Sequence, residues 1–233
     1  MKLIPCIILC GGVGSRLGSV LKGTPKCLAP INGIPFLFYQ IKYLENAGIS
    51  EVILSIGHLG NKVRDYIKTL DTSINIIISD EGSNLLGTGG AAKKSYNLIE
   101  GPAFLTYGDT FLDISYFEVY KRYQETKNPL ITIYKNNKKY DVSNVFLSDG
   151  KITYNKKKPH QNSQYIDYGL SIFSADDFID TQEIFDLSIL QESFSKNAKL
   201  EYFEVKNRFY EIGTPQSLKE TEIYLSNYEF KKI

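Results

Sequence analysis

Three groups of residues have the types and spacing that phosphate chemistry requires. The first is Gly11-Gly12-Val13-Gly14-Ser15-Arg16, which follows an apolar run ending at Leu9. Glycines let a backbone approach a phosphate closely and turn successive N–H groups into anion donors. The second group is cationic: Arg16 inside the loop, and Lys26 in Thr24-Pro25-Lys26. Arg offers a planar fork to two oxygens, Lys a compact point charge, and Pro25 restricts the backbone beside it. Two cations on a glycine cradle suit a triphosphate. The third is Asp109, just past the apolar run 103–106. A carboxylate there can hold Mg²⁺, which takes one or two carboxylates and completes its shell with substrate phosphates and water.

Two familiar phosphate motifs do not fit this loop. The dinucleotide fingerprint needs glycine where Leu17 stands, and the P-loop needs Lys where Thr24 follows the pair Gly18 and Gly23. With the glycine fingerprint goes the reading as a nicotinamide-dependent dehydrogenase. His58 and His160 are the only histidines, and neither is assigned a catalytic role. None is required if the nucleophile is itself a phosphate, for then positioning and charge neutralisation suffice.

The elements that must hold these groups are legible as alternating apolar runs and helical stripes. Residues 3–9, 51–56, 74–78 and 103–106 read as buried strands. Leu37, Ile41 and Leu44 mark one face of a helix ending at Gly48, and Val63, Ile67 and Leu70 mark a second. Runs apolar on both sides, separated by helices, predict a doubly wound α/β fold with a parallel sheet covered on both faces. In such sheets ligands bind beyond the carboxyl ends of the strands, where the glycine loop and Asp109 fall. After Asp109, residues 129–135, 142–147, 151–154 and 168–173 read as strands joined by short turns, among them Asp149-Gly150. They predict a small antiparallel lobe on a mixed sheet. Leu218, Thr221, Leu225 and Tyr228 give a C-terminal helical face. With no linker and no internal repeat, one domain over 1–233 is expected, its two halves being 1–110 and 111–233.

Composition sets outer bounds. The 233 residues are 42% hydrophobic, 13% aromatic and 23% charged, inside the globular range and outside the disordered, collagenous and disulfide-scaffold classes. Lys and Arg total 27 against 26 Asp and Glu, a formal charge of +1. That balance predicts neither a nucleic-acid partner nor an anionic membrane, so phosphate binding must be local. No apolar run approaches the ~20 residues of a membrane span. The N-terminal run is too short for a secretion signal, and Leu9 before Cys10 is wrong for a lipoprotein. Cys6, Cys10 and Cys27 lack metal-type spacing, which points to reduced, structural thiols and a cytoplasmic location.

GGVGSRL (11–17) followed by TPKCLAPINGIPFL (24–37) resembles the G-G-x-G-[ST]-R-L…P-K signature of the sugar-phosphate nucleotidylyltransferases. The resemblance continues through EVILSIGHLGNKVRDYI (51–67), LLGTGGA (85–91), YGDTF (107–111) and EIGTPQSL (211–218). It looks most like the short heptose 1-phosphate guanylyltransferase branch. The resemblance implies a GT-A-like nucleotidyltransferase fold and a Mg²⁺-dependent transfer from an NTP, CTP or GTP, to a phosphorylated small molecule, with pyrophosphate leaving. Product use in surface polysaccharide synthesis and a homodimer are within the same implication. It assigns catalysis to Arg16, Lys26 and Asp109, and nucleotide contacts to Leu9, Gly11, Gly12, Gly14, Ser15 and Arg16. Glu81, Gly87, Thr88 and Gly89 would lie against the base or ribose, and Glu211 would be the second metal carboxylate, where the family more often has Asp.

The acceptor side departs from the pattern. Where the family carries Glu-Lys-Pro, the chain has Lys157-Lys158-Pro159, and Asn-Ala-Gly becomes Asp167-Tyr168-Gly169. Lys158 keeps the phosphate role, but Lys157 cannot accept a hydroxyl proton. A sugar 1-phosphate is the family default. A CTP-dependent transfer to a non-sugar phosphate such as phosphoglutamine or phosphocholine is the rival, and a non-catalytic nucleotide-binding module is a third reading.

Overall fold

The computed structural model describes residues 3–12, 17, 21 and 23–228. Val13, Gly14, Ser15 and Arg16 therefore lie outside the described residues, and with them three of the expected nucleotide contacts. In chain order the elements begin β1 (Cys6–Leu9), β2 (Pro30–Ile31), β3 (Ile34–Pro35), α1 (Phe36–Asn46), β4 (Glu51–Ile56), α2 (Gly60–Ile67) and β5 (Asn75–Asp80). There follow α3 (Gly87–Tyr96), β6 (Pro102–Tyr107), β7 (Thr110–Phe111), α4 (Tyr116–Thr126), β8 (Leu130–Lys135), β9 (Val145–Ser148) and β10 (Lys151–Tyr154). The chain closes with β11 (Tyr165–Ser174), α5 (Leu187–Lys196), β12 (Glu201–Val205), β13 (Tyr210–Glu211) and α6 (Pro215–Ser226).

Among the described residues nine strands form one mixed sheet. Its order is β10-β9-β11-β6-β1-β4-β5, and β8 joins β11 to β12. The β6-β1-β4-β5 block is parallel throughout. Past β6 the sheet turns antiparallel at β11, so the expected antiparallel excursion continues the same sheet rather than standing apart from it. Period-2 alternation sorts the parallel strands onto two faces. Ile8, Val52 and Leu54 face α1, α2 and α4, while Ile7, Ile53 and Leu105 face α3 and α5. That is the doubly wound arrangement. A third apolar cluster, with Ile31, Phe36, Phe111, Ile212 and Leu225, packs α6 over the carboxyl edge.

The differences from the sequence reading have local causes. β1 starts at Cys6 rather than residue 3, since Pro5 has no N–H for a ladder and contributes only its carbonyl, to Phe104 N. The strands expected after residue 129 follow one another without a helix between them, but helices α4 and α5, which the sequence reading did not assign, flank the run on either side. Ser115 caps α4 by accepting from Glu118 N, and Tyr116, Val119 and Tyr123 are its buried stripe. β11 begins three residues earlier than the apolar run suggests and carries a bulge between Asp167 and Ser171, where Gly169 has φ +96°. The Asp149-Gly150 turn is present, both residues left-handed. No helix among the described residues is long and apolar enough to cross a membrane.

Candidate active site

The carboxyl ends of the parallel strands bring the expected residues together. Hydrogen bonds carry the strand pairing one residue further: Cys10 N donates to Ser55 O, Glu81 N to Ile56 O and Gly108 N to Leu9 O. These bonds fix where Gly11, Glu81 and Asp109 leave the sheet. Together with α3 they enclose a cavity of about 230 Å³. Of the predicted residues, Leu9, Gly11, Gly12, Lys26, Glu81, Gly87, Thr88 and Asp109 line it. Cys10, Cys27, Leu85, Ala91, Tyr107 and Gly108 also line it, and sequence reasoning assigned none of them.

At the centre, Lys26 Nζ donates to Asp109 Oδ2 at 2.5 Å. The ammonium comes from the short 3-10 turn Lys26–Leu28, which Pro25 precedes, and its side chain is 12% exposed. Asp109 stands at the tight turn between β6 and β7, with Thr110 Oγ1 donating to its Oδ1 at 3.0 Å. Gly108 is required there because a Cβ would lie 2.6 Å from Cys10 Sγ and 3.1 Å from Leu9 O. The three cysteines are buried and free, as structural thiols would be. Cys10 accordingly has its thiol pushed up, first by its hydrogen bond with Cys27 and then by burial.

Glu211 is brought to Asp109 by backbone pairing. β13 pairs antiparallel with β7, setting Glu211 opposite Thr110, and Ile212 N donates to Asp109 O at 3.0 Å. Thr221 Oγ1 on α6 donates to Glu211 O at 2.8 Å. Glu211 lines a second, open groove of about 930 Å³ with Tyr140, Arg208, Tyr210 and Tyr224. There Tyr210 and Tyr224 stack at 3.7 Å, and the Arg208 guanidinium lies over the rings of Tyr140 and Tyr210. Among the described residues no three His, Cys, Asp or Glu side chains gather as a metal cluster.

Glu81 sits at the cavity wall with Oε2 accepting from Leu86 N at 2.9 Å. Burial raises its pKa, against the pull of the Leu86 N–H and Lys94. A Cβ on Gly11 would lie 2.3 Å from Glu81 Oε1, so the glycine loop and this carboxylate touch. The glycines of 87–90 prove to serve packing as well as the cavity. A Cβ on Gly89 would meet the Phe185 ring at 2.2 Å, on Gly90 the Glu183 carbonyl at 2.1 Å, and on Gly87 the Phe185 carbonyl at 2.5 Å. Gly89 N donates to Phe185 O, and Thr88 Oγ1 accepts from Leu187 N. Gly89 is thus a packing contact of the 183–187 segment and is not among the residues lining the cavity.

Tyr107 separates the nucleotide side from the expected acceptor side. Burial pushes its pKa up, with the carboxylates of Asp167, Asp186 and Asp109 adding to the rise. Gly169 approaches its ring; a Cβ there would be 3.5 Å away. Asp167 accepts from Gly169 N at 3.0 Å and from Gln191 Nε2 at 2.9 Å. Burial raises its pKa despite those donors and Lys156. Tyr168 does not face the site. It is 1% exposed within the core and its hydroxyl reaches Arg208 O at 3.3 Å, because neighbouring strand residues point to opposite faces. Lys157 and Lys158 are exposed and line neither cavity. Lys156 pairs with Asp186 at 3.0 Å, and Lys158 N donates to Asn155 Oδ1 at 2.6 Å. His160 stacks on Phe146 with ring centroids 4.2 Å apart.

A doubly wound sheet with a phosphate-type cation and a carboxylate at its switch point defines a nucleotide-handling α/β enzyme. The model of the MobA-like NTP transferase domain matches residues 6–139, more than half of the chain. The chain is 35% identical over 90% of its length to D-glycero-alpha-D-manno-heptose 1-phosphate guanylyltransferase of Campylobacter jejuni, 95% of which is covered. It is 31% identical to the enzyme of that name from Aneurinibacillus thermoaerophilus, covering 95% of this chain and 98% of that one. Among solved structures, HddC from Yersinia pseudotuberculosis complexed with GMP-PN superimposes with a TM-score of 0.81 at 24% identity, over 96% of this chain and 100% of that one. At that identity the likeness speaks for the fold. The chain belongs to the MobA-like NTP transferase family and is a nucleotidyltransferase.

Proposed function

We propose that the chain joins GTP to a heptose-like sugar 1-phosphate, releasing pyrophosphate. The observation that carries this reading is the Lys26–Asp109 pair inside the strand-end cavity. A phosphate oxygen of the acceptor attacks the α-phosphorus and the pyrophosphate oxygen leaves, so no proton need be removed from the nucleophile. Lys26 is placed to hold triphosphate oxygens and to lower the charge the nucleophile meets. Arg16 is proposed to add a second cation there. The guanylyltransferases at 31% and 35% identity support a sugar acceptor over the non-sugar rival, and GTP over CTP.

The carboxylates of Asp109 and Glu211 suit a divalent cation. Their oxygens are hard donors, and Asp109 already faces an ammonium in the cavity. Mg²⁺ bound by Asp109 and Glu211 would supply neutralisation of the phosphate charge. On the acceptor side, Lys157 and Lys158 are the cations available to an incoming phosphate, since Lys156 is paired with Asp186. Asp167 and Gly169, behind Tyr107, border the acceptor in this reading. The test is pyrophosphate release with ATP, GTP, CTP and UTP against heptose, mannose and glucose 1-phosphates, phosphocholine and phosphoglutamine. Turnover of GTP with a sugar 1-phosphate is expected. Turnover confined to CTP and a non-sugar phosphate would overturn the substrate assignment, and no pyrophosphate with any pair would overturn the enzyme.

A further inference from the structure

Gln40, one turn into α1, is 5% exposed and lines neither the strand-end cavity nor the groove. Its amide nitrogen donates to Tyr107 O at 2.8 Å and to Thr110 O at 2.9 Å. Those carbonyls flank Gly108 and Asp109 on the turn between β6 and β7. One planar NH₂ group therefore closes both ends of the turn that presents the carboxylate. Among the described residues its own Oε1 is buried without a partner. An orphaned buried oxygen is destabilising, so the two contacts made by its amide nitrogen must offset it. The reverse amide orientation would set Oε1 against two carbonyl oxygens, which fixes the nitrogen assignment. An apolar residue of the same shape would satisfy the oxygen's side and abandon two backbone carbonyls instead.

A second contact on the same helix extends the grip. Tyr43 hydroxyl donates to Ile114 O at 2.8 Å and accepts from Ile114 N at 2.8 Å, three residues past β7. The segment 107–114 is thus held to α1 at both ends, with Gln40 at the end that carries Asp109. We infer that Gln40 is a positioning residue for Asp109, holding the 107–110 turn so that the carboxylate faces Lys26 and the phosphates. The inference rests on the reading of Asp109 given above.

The test is a double-mutant cycle with Gln40→Met and Gln40→Glu, each in the natural and the Asp109→Asn background. Met keeps the length without a donor; ionised Glu keeps the shape and can only accept. Positioning predicts that Gln40→Met lowers kcat about 10- to 100-fold with KM for NTP within about threefold, and adds less than twofold in the Asp109→Asn background. Binding of a non-hydrolysable GTP analogue gives a readout without turnover. Gln40→Met should match the natural protein in EDTA and lose the tightening that Mg²⁺ brings. Equal fold losses in both backgrounds, an effect on KM alone, or full Mg²⁺-dependent tightening in the variant would each overturn the inference. Both variants should melt below the natural protein, because two buried carbonyls lose their donor; variants already unfolded at the assay temperature would make Gln40 a core residue and overturn the inference. The reading of Asp109 is tested separately: if Asp109→Asn alone keeps full activity, that reading fails whatever Gln40 does.

Discussion

Two glycine-rich stretches border the same cavity, and they answer to different demands. At Gly12 a Cβ would meet nothing within 4 Å among the described residues. At Gly89 and Gly90 a Cβ would strike the Phe185 ring and the Glu183 carbonyl, so those glycines are spent on packing α3 against the 183–187 segment. In the proposed function the first stretch shapes a surface that substrate meets. The second holds the wall in position from behind. A glycine motif in a nucleotide site can therefore report contact or support, and only the neighbours of the missing Cβ distinguish them.

Substitutions on the two sides should separate along activity and stability. The largest effect is expected from Asp109→Asn, which removes a metal-type carboxylate and the partner of Lys26. It should lower kcat roughly 10³-fold with the melting temperature retained; turnover near that of the natural protein would remove Asp109 from the contact side. Gly90→Ala comes next, and its effect belongs to support. The methyl group meets a backbone oxygen that cannot swing away, so a loss of roughly 3 kcal/mol is expected in denaturant unfolding. A change under about 0.5 kcal/mol would break the comparison.

Glu45 sharpens the support side, being remote from the cavity. Burial acts to raise its pKa, but Lys42, Ser73 and Thr72 donate to it and hold it down at about 2. A carboxylate held below its ordinary value of 4.5 stabilises the fold above that pH, and the contribution is lost as pH falls from 4.5 toward 2. Glu45→Gln should cost about 2 kcal/mol at neutral pH and flatten the acid limb of stability. An unchanged acid limb would show that the Thr72-Ser73 tether is not anchored by charge. The smallest effect is expected from Gly12→Ala: stability within about 0.5 kcal/mol, and KM for NTP raised about tenfold. Loss of stability instead would place Gly12 with Gly90.

The parts of this site that sequence reveals are those fixed by residue type alone. Lys26 and Asp109 were legible because a cation after a glycine loop and a carboxylate after a buried strand have few other uses at a sheet's carboxyl edge. β4 and β10 fall at the expected bounds because their runs are bracketed by polar and turn residues. Tyr168 was misplaced because the bulge at Gly169 and the alternation of β11, not residue type, decide which face it takes. Gln40 and Tyr107 were illegible for another reason. Gln40 acts through backbone carbonyls that become neighbours only when α1 packs beside the turn, and Tyr107 acquires its position between Asp109 and Asp167 only when β11 pairs with β6.

The ribbon of β7 and β13 has a consequence for how the protein is made. Among the described residues β7 pairs only with β13, whose residues are synthesised roughly 100 positions after it. At a translation rate of about 5–20 residues per second, that interval is roughly 5–20 s. The parallel block with Lys26 can form while the chain is still being made, but the turn at Asp109 waits about 100 residues for Glu211. The parallel block can therefore form before β13 arrives to pair with β7, so the turn that carries Asp109 gains its strand partner late.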